Sequence, residues 1–250
     1  MERKTAIWFL PDGITLSKEE RPLMLRDVMF CPVLTWTCAE LSALGVERFF
    51  VISDESAHDM LRPYFPADAV FVNGARHADE LLELLENEAG EVVVLNGVVL
   101  PVGVFSGGAV YAAKAAAVRD VLREHGAFAA FPRGAEIMKG FLPVGDGEEL
   151  RAALPMCRQK IVQRCFDAGV EIIDLNNTYI DPRARVGAGT VLLPGTILRG
   201  RTVVGKSCVI GPNAMLTDCA VGDGAEVNAS QAVGVTIEAG AKIGPFASLR

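Results

Sequence analysis

Aliphatic residues recur about every six positions through the C-terminal part of this chain, and this interval excludes most folds. The recurring residues are Ile180, Val186, Leu192, Leu198, Val204, Ile210, Leu216, Val221, Val227, Ala232, Ile237, Ile243 and Leu249, with three steps of five among the later ones. An α-helix repeats every 3.6 residues and a strand every 2.0, so a step of six fits neither. Gly, Asn, Asp, Thr, Ser and Pro fill many of the intervening positions, which is typical of turns.

The interval does fit a triangular solenoid, in which each aliphatic residue points inward from a short strand. Three hexads then complete one coil of about 18 residues. We therefore predict a parallel β-helix over residues 179–250. The alternative, a β-sandwich rich in turns, would space its strands by about 8–12 residues. Known hexapeptide-repeat proteins coil to the left, and this resemblance implies a left-handed coil here.

The first part of the chain alternates apolar strand-like runs with helical patterns, which indicates an α/β domain with a mostly parallel sheet. The predicted strands are residues 6–10, 49–52, 70–72, 92–95 and 127–131, and the predicted helices are 34–44, 78–88, 108–124 and 147–168. The predicted domains are an α/β domain over 1–156, a linker helix and strand over 157–178, and the β-helix over 179–250. The linker is expected to cover the N-terminal end of the β-helix.

Composition and charge restrict the partners and the compartment. The net charge of −7 comes without any Lys/Arg-rich run, so we expect no nucleic-acid partner. No apolar stretch is long enough to span a membrane, and Pro11-Asp12-Gly13 interrupts the apolar N-terminal run that could suggest a secretory signal. The six cysteines show no C-x-x-C spacing, so reduced, buried thiols in a cytoplasmic protein are expected.

The junction between the two parts carries a more specific similarity. The string Gly169-Val-Glu-Ile-Ile-Asp-Leu-Asn-Asn-Thr-Tyr-Ile180, together with Ile243-Gly-Pro-Phe-Ala-Ser-Leu-Arg250, resembles the bifunctional N-acetylglucosamine-1-phosphate uridyltransferase/glucosamine-1-phosphate acetyltransferase family. The resemblance is good from about Cys157 to Arg250 and loose before it. It implies a nucleotidyltransferase-like, Rossmann-like α/β domain that transfers uridylyl with Mg²⁺, and a β-helix that uses acetyl-CoA.

The phosphate-binding motifs of that family are degenerate in this chain. The glycine-rich loop after the first strand keeps Gly13, but Thr15 replaces its second glycine and Ser17 its arginine. In the second motif Gly97 is kept, whereas Val98 stands where the family has its Mg²⁺-binding aspartate. Asp12 is a conceivable replacement ligand, although an Asp between Pro and Gly is more typical of a turn.

The segment that matches the uracil-binding motif reads Gly74-Ala-Arg-His-Ala78, with Arg76 in place of a glycine. The resemblance therefore leaves Gly13, Gly74 and Gly97 as vestigial nucleotide-binding positions. It implies no metal site, and Mg²⁺ would be a cofactor only if the family's activity were retained.

Acetyl transfer to an amine calls for a general base, usually histidine. The three histidines, His58, His77 and His125, all precede the repeats. By the resemblance, Arg250 is the candidate for the acceptor phosphate, and the family's other acetyltransferase residues correspond to positions beyond it. No catalytic residue is therefore assigned, and acetyl-CoA would be a cofactor only if that activity were retained.

Three hypotheses follow from these observations. The chain is an enzyme of UDP-N-acetylglucosamine biosynthesis, or a non-catalytic scaffold or regulatory subunit that binds a sugar phosphate or nucleotide, or part of a longer reading frame that carries the acetyltransferase site. In each case the resemblance implies a homotrimer, because solenoid faces of this class pack around a threefold axis.

Overall fold

The computed structural model describes residues 4–10, 21–86, 88–103, 105, 107–126 and 132–250. The chain divides into two compact units, one of Met1–Arg26 and Pro32–Ala153 and the other of Asp27–Cys31 and Leu154–Arg250. Among the described residues, no helix combines the length and apolar content needed to cross a bilayer.

The first unit is built on a mixed sheet of six strands with the order β5-β4-β1-β6-β8-β9. These strands are β1 (Lys4–Phe9), β4 (Val46–Ser53), β5 (Val70–Asn73), β6 (Glu91–Asn96), β8 (Val110–Lys114) and β9 (Glu136–Ile137). Strands β5, β4, β1 and β6 run parallel, while β8 and β9 add antiparallel pairings at one edge. A separate antiparallel pair joins β7 (Val99–Pro101) to β10 (Phe141–Pro143).

The helices are α1 (Val33–Ala43), α2 (His58–Leu61), α3 (His77–Leu85), α4 (Ala115–His125) and α5 (Gly147–Asp167). Helix α3 buries Leu81 and Leu85, which are four residues apart and so share one helix face, in a core with Ile7 and Val94. Helix α4 ends at Gly126, whose φ of 64° is left-handed and whose amide bonds back to Leu122.

Most of the predicted α/β elements are confirmed, and one is wrong in part. The strands predicted at 49–52, 70–72 and 92–95 fall within β4, β5 and β6, and the strand predicted at 6–10 overlaps β1, which ends one residue earlier at Phe9. The helix predicted over 108–124 instead begins only at Ala115, because Val110–Lys114 forms strand β8 against β6. The strand predicted at 127–131 lies outside the described residues.

The second unit is a left-handed parallel β-helix, as predicted. Its first sheet stacks β11 (Glu171–Ile172), β14 (Val191–Leu192), β17 (Val209–Ile210), β20 (Glu226–Val227) and β23 (Lys242–Ile243). Its second sheet stacks β12 (Tyr179–Ile180), β15 (Ile197–Arg199), β18 (Met215–Thr217), β21 (Gln231–Val233) and β24 (Ser248–Leu249). Its third sheet stacks β13 (Arg185–Val186), β16 (Val203–Val204), β19 (Ala220–Val221) and β22 (Thr236–Ile237).

The residues of the six-residue repeat face inward on these strands. Ten of the thirteen are buried, and Val186, Ile243 and Leu249 are half-buried. Partners on successive coils are 18 residues apart at first, as for Tyr179 and Ile197. The separation falls to 16 where Met215 meets Gln231.

Buried threonines complete the hydrogen bonding at the corners of the coils. The Thr190 hydroxyl donates to the Gly205 carbonyl at 2.8 Å and accepts from the Cys208 amide at 3.1 Å. Thr196 and Thr202 are bonded in a similar way, whereas the buried Thr178 hydroxyl has no hydrogen-bond partner among the described residues.

The second unit also contains most of a short hairpin of β2 (Asp27–Val28) and β3 (Cys31–Pro32). Only Pro32, at the end of β3, belongs to the first unit. The two turn residues, Met29 and Phe30, have φ values of 50° and 69°. Such turns usually contain Asn or Gly, since other side chains are strained at positive φ. Here Arg183 donates to the Phe30 carbonyl at 3.3 Å, and the Arg199 guanidinium lies 5.0 Å from the centroid of the Phe30 ring.

Candidate functional site

The carboxyl ends of the parallel strands in the α/β unit form one edge of the sheet. Phe9 at the end of β1 is paired with Ile52 on one side and Asn96 on the other, and Ser53 is paired with Asn73. The chain proceeds from β1 to β4 and β5 on one side and then returns to β6 on the other. This reversal of strand order marks the place where open α/β sheets bind ligands.

Two of the three predicted nucleotide-binding glycines lie at this edge. Gly74 follows β5 and Gly97 follows β6. Three strand spacings of about 4.8 Å put the ends of these strands roughly 14 Å apart. Gly13 and Asp12 lie outside the described residues. Arg250 belongs to the other unit, where it is exposed.

The turn after β6 is occupied by internal contacts. Gly97 has a φ of 78° and its amide donates to the Phe9 carbonyl at 2.7 Å. Its carbonyl accepts from the Trp8 indole nitrogen at 2.8 Å. Val98, at the position where the resembled family carries its metal-binding aspartate, is only 4% exposed. An aliphatic side chain supplies no oxygen ligand, so this turn does not fit Mg²⁺.

Gly74 opens a short 3-10 helix over Gly74–Arg76 that leads into α3. The Asn73 side chain caps this turn by accepting from the Ala75 amide at 2.9 Å. The Gly74 carbonyl accepts from His77 Nδ1 at 2.6 Å. Because a carbonyl can only accept, Nδ1 carries a proton.

A groove of about 380 Å³ opens beside this turn, between the start of α3 and the end of α4. Its lining includes three basic side chains, Arg76, His77 and Arg123, and one acidic one, Asp79. The half-buried Leu82 contributes apolar surface to the same groove, whereas Leu122 lies beneath it in the core. The sequence analysis did not identify Arg123 as a site residue, because it lies 47 positions from Arg76 and no short motif joins the two.

The other two histidines have different surroundings. His58 Nε2 lies 3.3 Å from the Ser53 carbonyl, and its ring centroid is 5.3 Å from that of Phe71. His125 Nε2 lies 4.0 Å from a carboxylate oxygen of Glu124. Neither contact brings a base to a hydroxyl or thiol nucleophile.

The cysteines agree with the prediction of reduced, mostly buried thiols. All six are buried and none forms a disulfide. Burial raises the pKa of Cys31 to about 12 and that of Cys157 to about 12, so both are protonated at neutral pH and are poor nucleophiles. Within the described residues there is no group of three or more His, Cys, Asp or Glu side chains placed to hold a metal ion.

Arginines around the first coil of the β-helix bind backbone carbonyls. From α5, Arg158 donates to the Thr178 carbonyl at 3.2 Å and Arg164 donates to the Pro182 carbonyl at 2.7 Å. Arg183 forms a bidentate pair with the buried Asp181, with distances of 2.9 and 2.8 Å. This hydrogen bonding, with the charge of Asp181, raises the pKa of Arg183. These cations therefore stabilise the coil.

Fold and site together define a hexapeptide-repeat β-helix protein with an α/β unit that has the buried Val98 in the turn after β6. No protein-family model matches the chain. It is 40% identical over 116 residues to the bifunctional protein GlmU of Caldanaerobacter subterraneus, a match to 43% of this chain and 25% of that protein. The GlmU of Nocardia farcinica is 44% identical over 107 residues, covering 43% of this chain and 22% of the relative.

The GlmU of Clostridioides difficile is 33% identical over 133 residues, which is 53% of this chain and 28% of that protein. The chain is thus a relative of GlmU over about half of its own length. It spans about a quarter of the length of the curated relatives it matches.

Proposed function

We propose that this protein acts in UDP-N-acetylglucosamine biosynthesis. The observation that carries the proposal is the stacked hexapeptide β-helix in a chain that is 33–44% identical to GlmU proteins over about half its length. The family that the junction strings resemble catalyses two successive steps toward this sugar nucleotide, so each step can be tested separately.

For uridylyl transfer, the α/β unit is proposed to be inactive. The buried Val98 supports this, because charge developing on the transferred phosphate needs a carboxylate-bound cation. The test supplies UTP, N-acetylglucosamine 1-phosphate and Mg²⁺ and measures pyrophosphate release. Release above the level of a protein-free control would refute the loss of this activity.

For acetyl transfer, the relevant test is release of free CoA from acetyl-CoA in the presence of glucosamine 1-phosphate. Residues 126–250 contain no histidine to act as the base. Release of CoA that depends on both substrates would support an acetyltransferase. Arg250→Gln would then weaken the apparent affinity for the sugar phosphate if Arg250 binds the acceptor.

The second candidate function is a non-catalytic, cytoplasmic, homotrimeric subunit that binds a sugar phosphate or nucleotide. The groove lined by Arg76, His77 and Arg123 favours it, because the two guanidinium groups suit an anionic ligand and no metal-binding carboxylate accompanies them at the motif position of Val98. Light scattering tests the assembly, since three chains of 26.7 kDa give a particle of about 80 kDa. A monomer at micromolar concentration would contradict the trimer.

A further inference from the structure

We propose that the groove between α3 and α4 is a binding site for the phosphate group of a small phosphate monoester, with Arg76 and Arg123 as its anchors. The inference rests on the second candidate function and names the ligand class and the residues. Part of the groove is lined by Ala75 to Ala78, from the segment that matches the uracil-binding motif, but Arg76 stands there where the resembled family has glycine.

The charges of the groove favour an anion. Arg76 and Arg123 reach it from different elements, and Asp79 is its acidic neighbour. Arg76, Arg123 and Asp79 together carry a net charge of +1, in a chain whose total is −7. Both arginines are exposed, and the planar donor array of a guanidinium matches two phosphate oxygens at once.

Two contacts position His77, one with the 3-10 helix that precedes α3 and one with strand β1. Its Nδ1 donates to the Gly74 carbonyl at 2.6 Å, and its ring packs edge-on against Phe9 with centroids 5.7 Å apart. These contacts fix the ring in the groove wall.

The size and the apolar lining limit the ligand to a small molecule. The volume of about 380 Å³ lies at the lower end of the range of about 300–1,000 Å³ for small-molecule sites. The half-buried Leu82 offers apolar surface on which part of a sugar or base can rest beside the phosphate. The chain's net negative charge disfavours a polyanion such as RNA.

Titration calorimetry on the full chain tests the proposal with two phosphate monoesters, N-acetylglucosamine 1-phosphate and UMP, and with the unphosphorylated N-acetylglucosamine and uridine. We expect at least one monoester to bind and its unphosphorylated partner to bind at least tenfold more weakly. Arg76→Gln and Arg123→Gln should each weaken monoester binding by roughly tenfold or more, since each loses a charge-assisted hydrogen bond. Arg151→Gln, the same change at an exposed arginine of α5 outside the groove, should bind like the unmodified chain.

Histidine-selective NMR gives a readout that does not depend on the variants. The chain has three histidines, so the imidazole region contains only three sets of signals. The bound monoester should shift the His77 signals while those of His58 and His125 stay in place.

The possible failures are distinguishable. If a monoester binds the Arg76 and Arg123 variants as tightly as Arg151→Gln, or if His77 does not respond, the groove is not the site although the proposed binding function stands. If none of the probes binds the unmodified chain, both the groove and the binding function are refuted. Thermal melts of each variant identify any loss of affinity that reflects unfolding.

Discussion

The buried pair of Asp181 and Arg183 offers a sharp test of what stabilises the first coil of the β-helix. The Asp181 side chain is fully buried, and Arg183 approaches it with two donors at 2.9 and 2.8 Å. Backbone amides of Arg183 and Gly200 supply two more hydrogen bonds, at 2.9 and 3.0 Å. The Arg183→Leu variant removes the cation and leaves a buried carboxylate with only those amides.

Breaking a buried ion pair by removing one partner typically costs about 3–5 kcal/mol. The Arg183 side chain is 28% exposed and the two amide donors remain, so we expect a smaller loss of about 2–3 kcal/mol. That loss lowers the ratio of folded to unfolded protein roughly 30- to 150-fold.

Urea unfolding followed by far-UV circular dichroism measures this loss, with Arg201→Leu as the control. Arg201 is an exposed arginine of the next coil, so replacing it with leucine removes a cation without removing the partner of the buried Asp181. Both tryptophans, Trp8 and Trp36, belong to the α/β unit, so their fluorescence reports on that unit separately. The double variant Asp181→Asn/Arg183→Leu should recover part of the stability, since it removes the orphaned charge. If Arg183→Leu unfolds at the same urea concentration as Arg201→Leu, the pair does not stabilise the coil.

Three further predictions concern the core, the buried Val98 and the thiols. Leu198→Ala, at a fully buried repeat position, should lower the free energy of unfolding in urea by about 2–5 kcal/mol. Val203→Ala, on the outer face, should lower it by less than about 1 kcal/mol, and equal effects would contradict the assignment of Leu198 to the inner face. Val98→Asp buries an unpaired carboxylate and should lower the melting temperature without creating Mg²⁺ affinity in calorimetry, and tight Mg²⁺ binding would show that the turn still supports a metal site. Cys31 and Cys157 should stay unreactive to a thiol reagent at pH 8 until the protein is unfolded. Rapid labelling of the native chain would refute this protection. Because burial raises the pKa of both thiols from 9.0 to about 12, their contribution to stability is full below pH 9 and should be lost as the pH rises toward 12.

The β-helix was predictable from the sequence because each coil repeats the same physical requirement. Every hexad needs one apolar residue facing inward, and so Leu192, Leu198 and Ile210 identify the core before any contact is known. The mixed sheet was less predictable at its edge. The alanine-rich run from Val110 to Lys114 has helix-forming residues, yet pairing with β6 makes it a strand, since tertiary contacts override a weak local preference.

The candidate site was predictable only in part. Gly74 and Gly97 follow strands, so their place at one sheet edge follows from the parallel topology. The partnership of Arg76 with Arg123 depends on how two helices pack, which no short sequence pattern encodes. The hydrogen bond from His77 to the Gly74 carbonyl could not be predicted either, because it depends on the fold of the turn.

The uneven length of the coils has a consequence for how such a chain tolerates change. Pairing along the second sheet continues from Met215 to Gln231 although that coil is two residues shorter than the one before, and the inward residues Leu216 and Ala232 remain paired. Deletions at a corner are therefore absorbed locally, while a deletion within a two-residue strand would move an apolar side chain to the outer face. In evolution or in design, insertions and deletions should accumulate at the corners of the triangle, which makes coil length adjustable independently of the core.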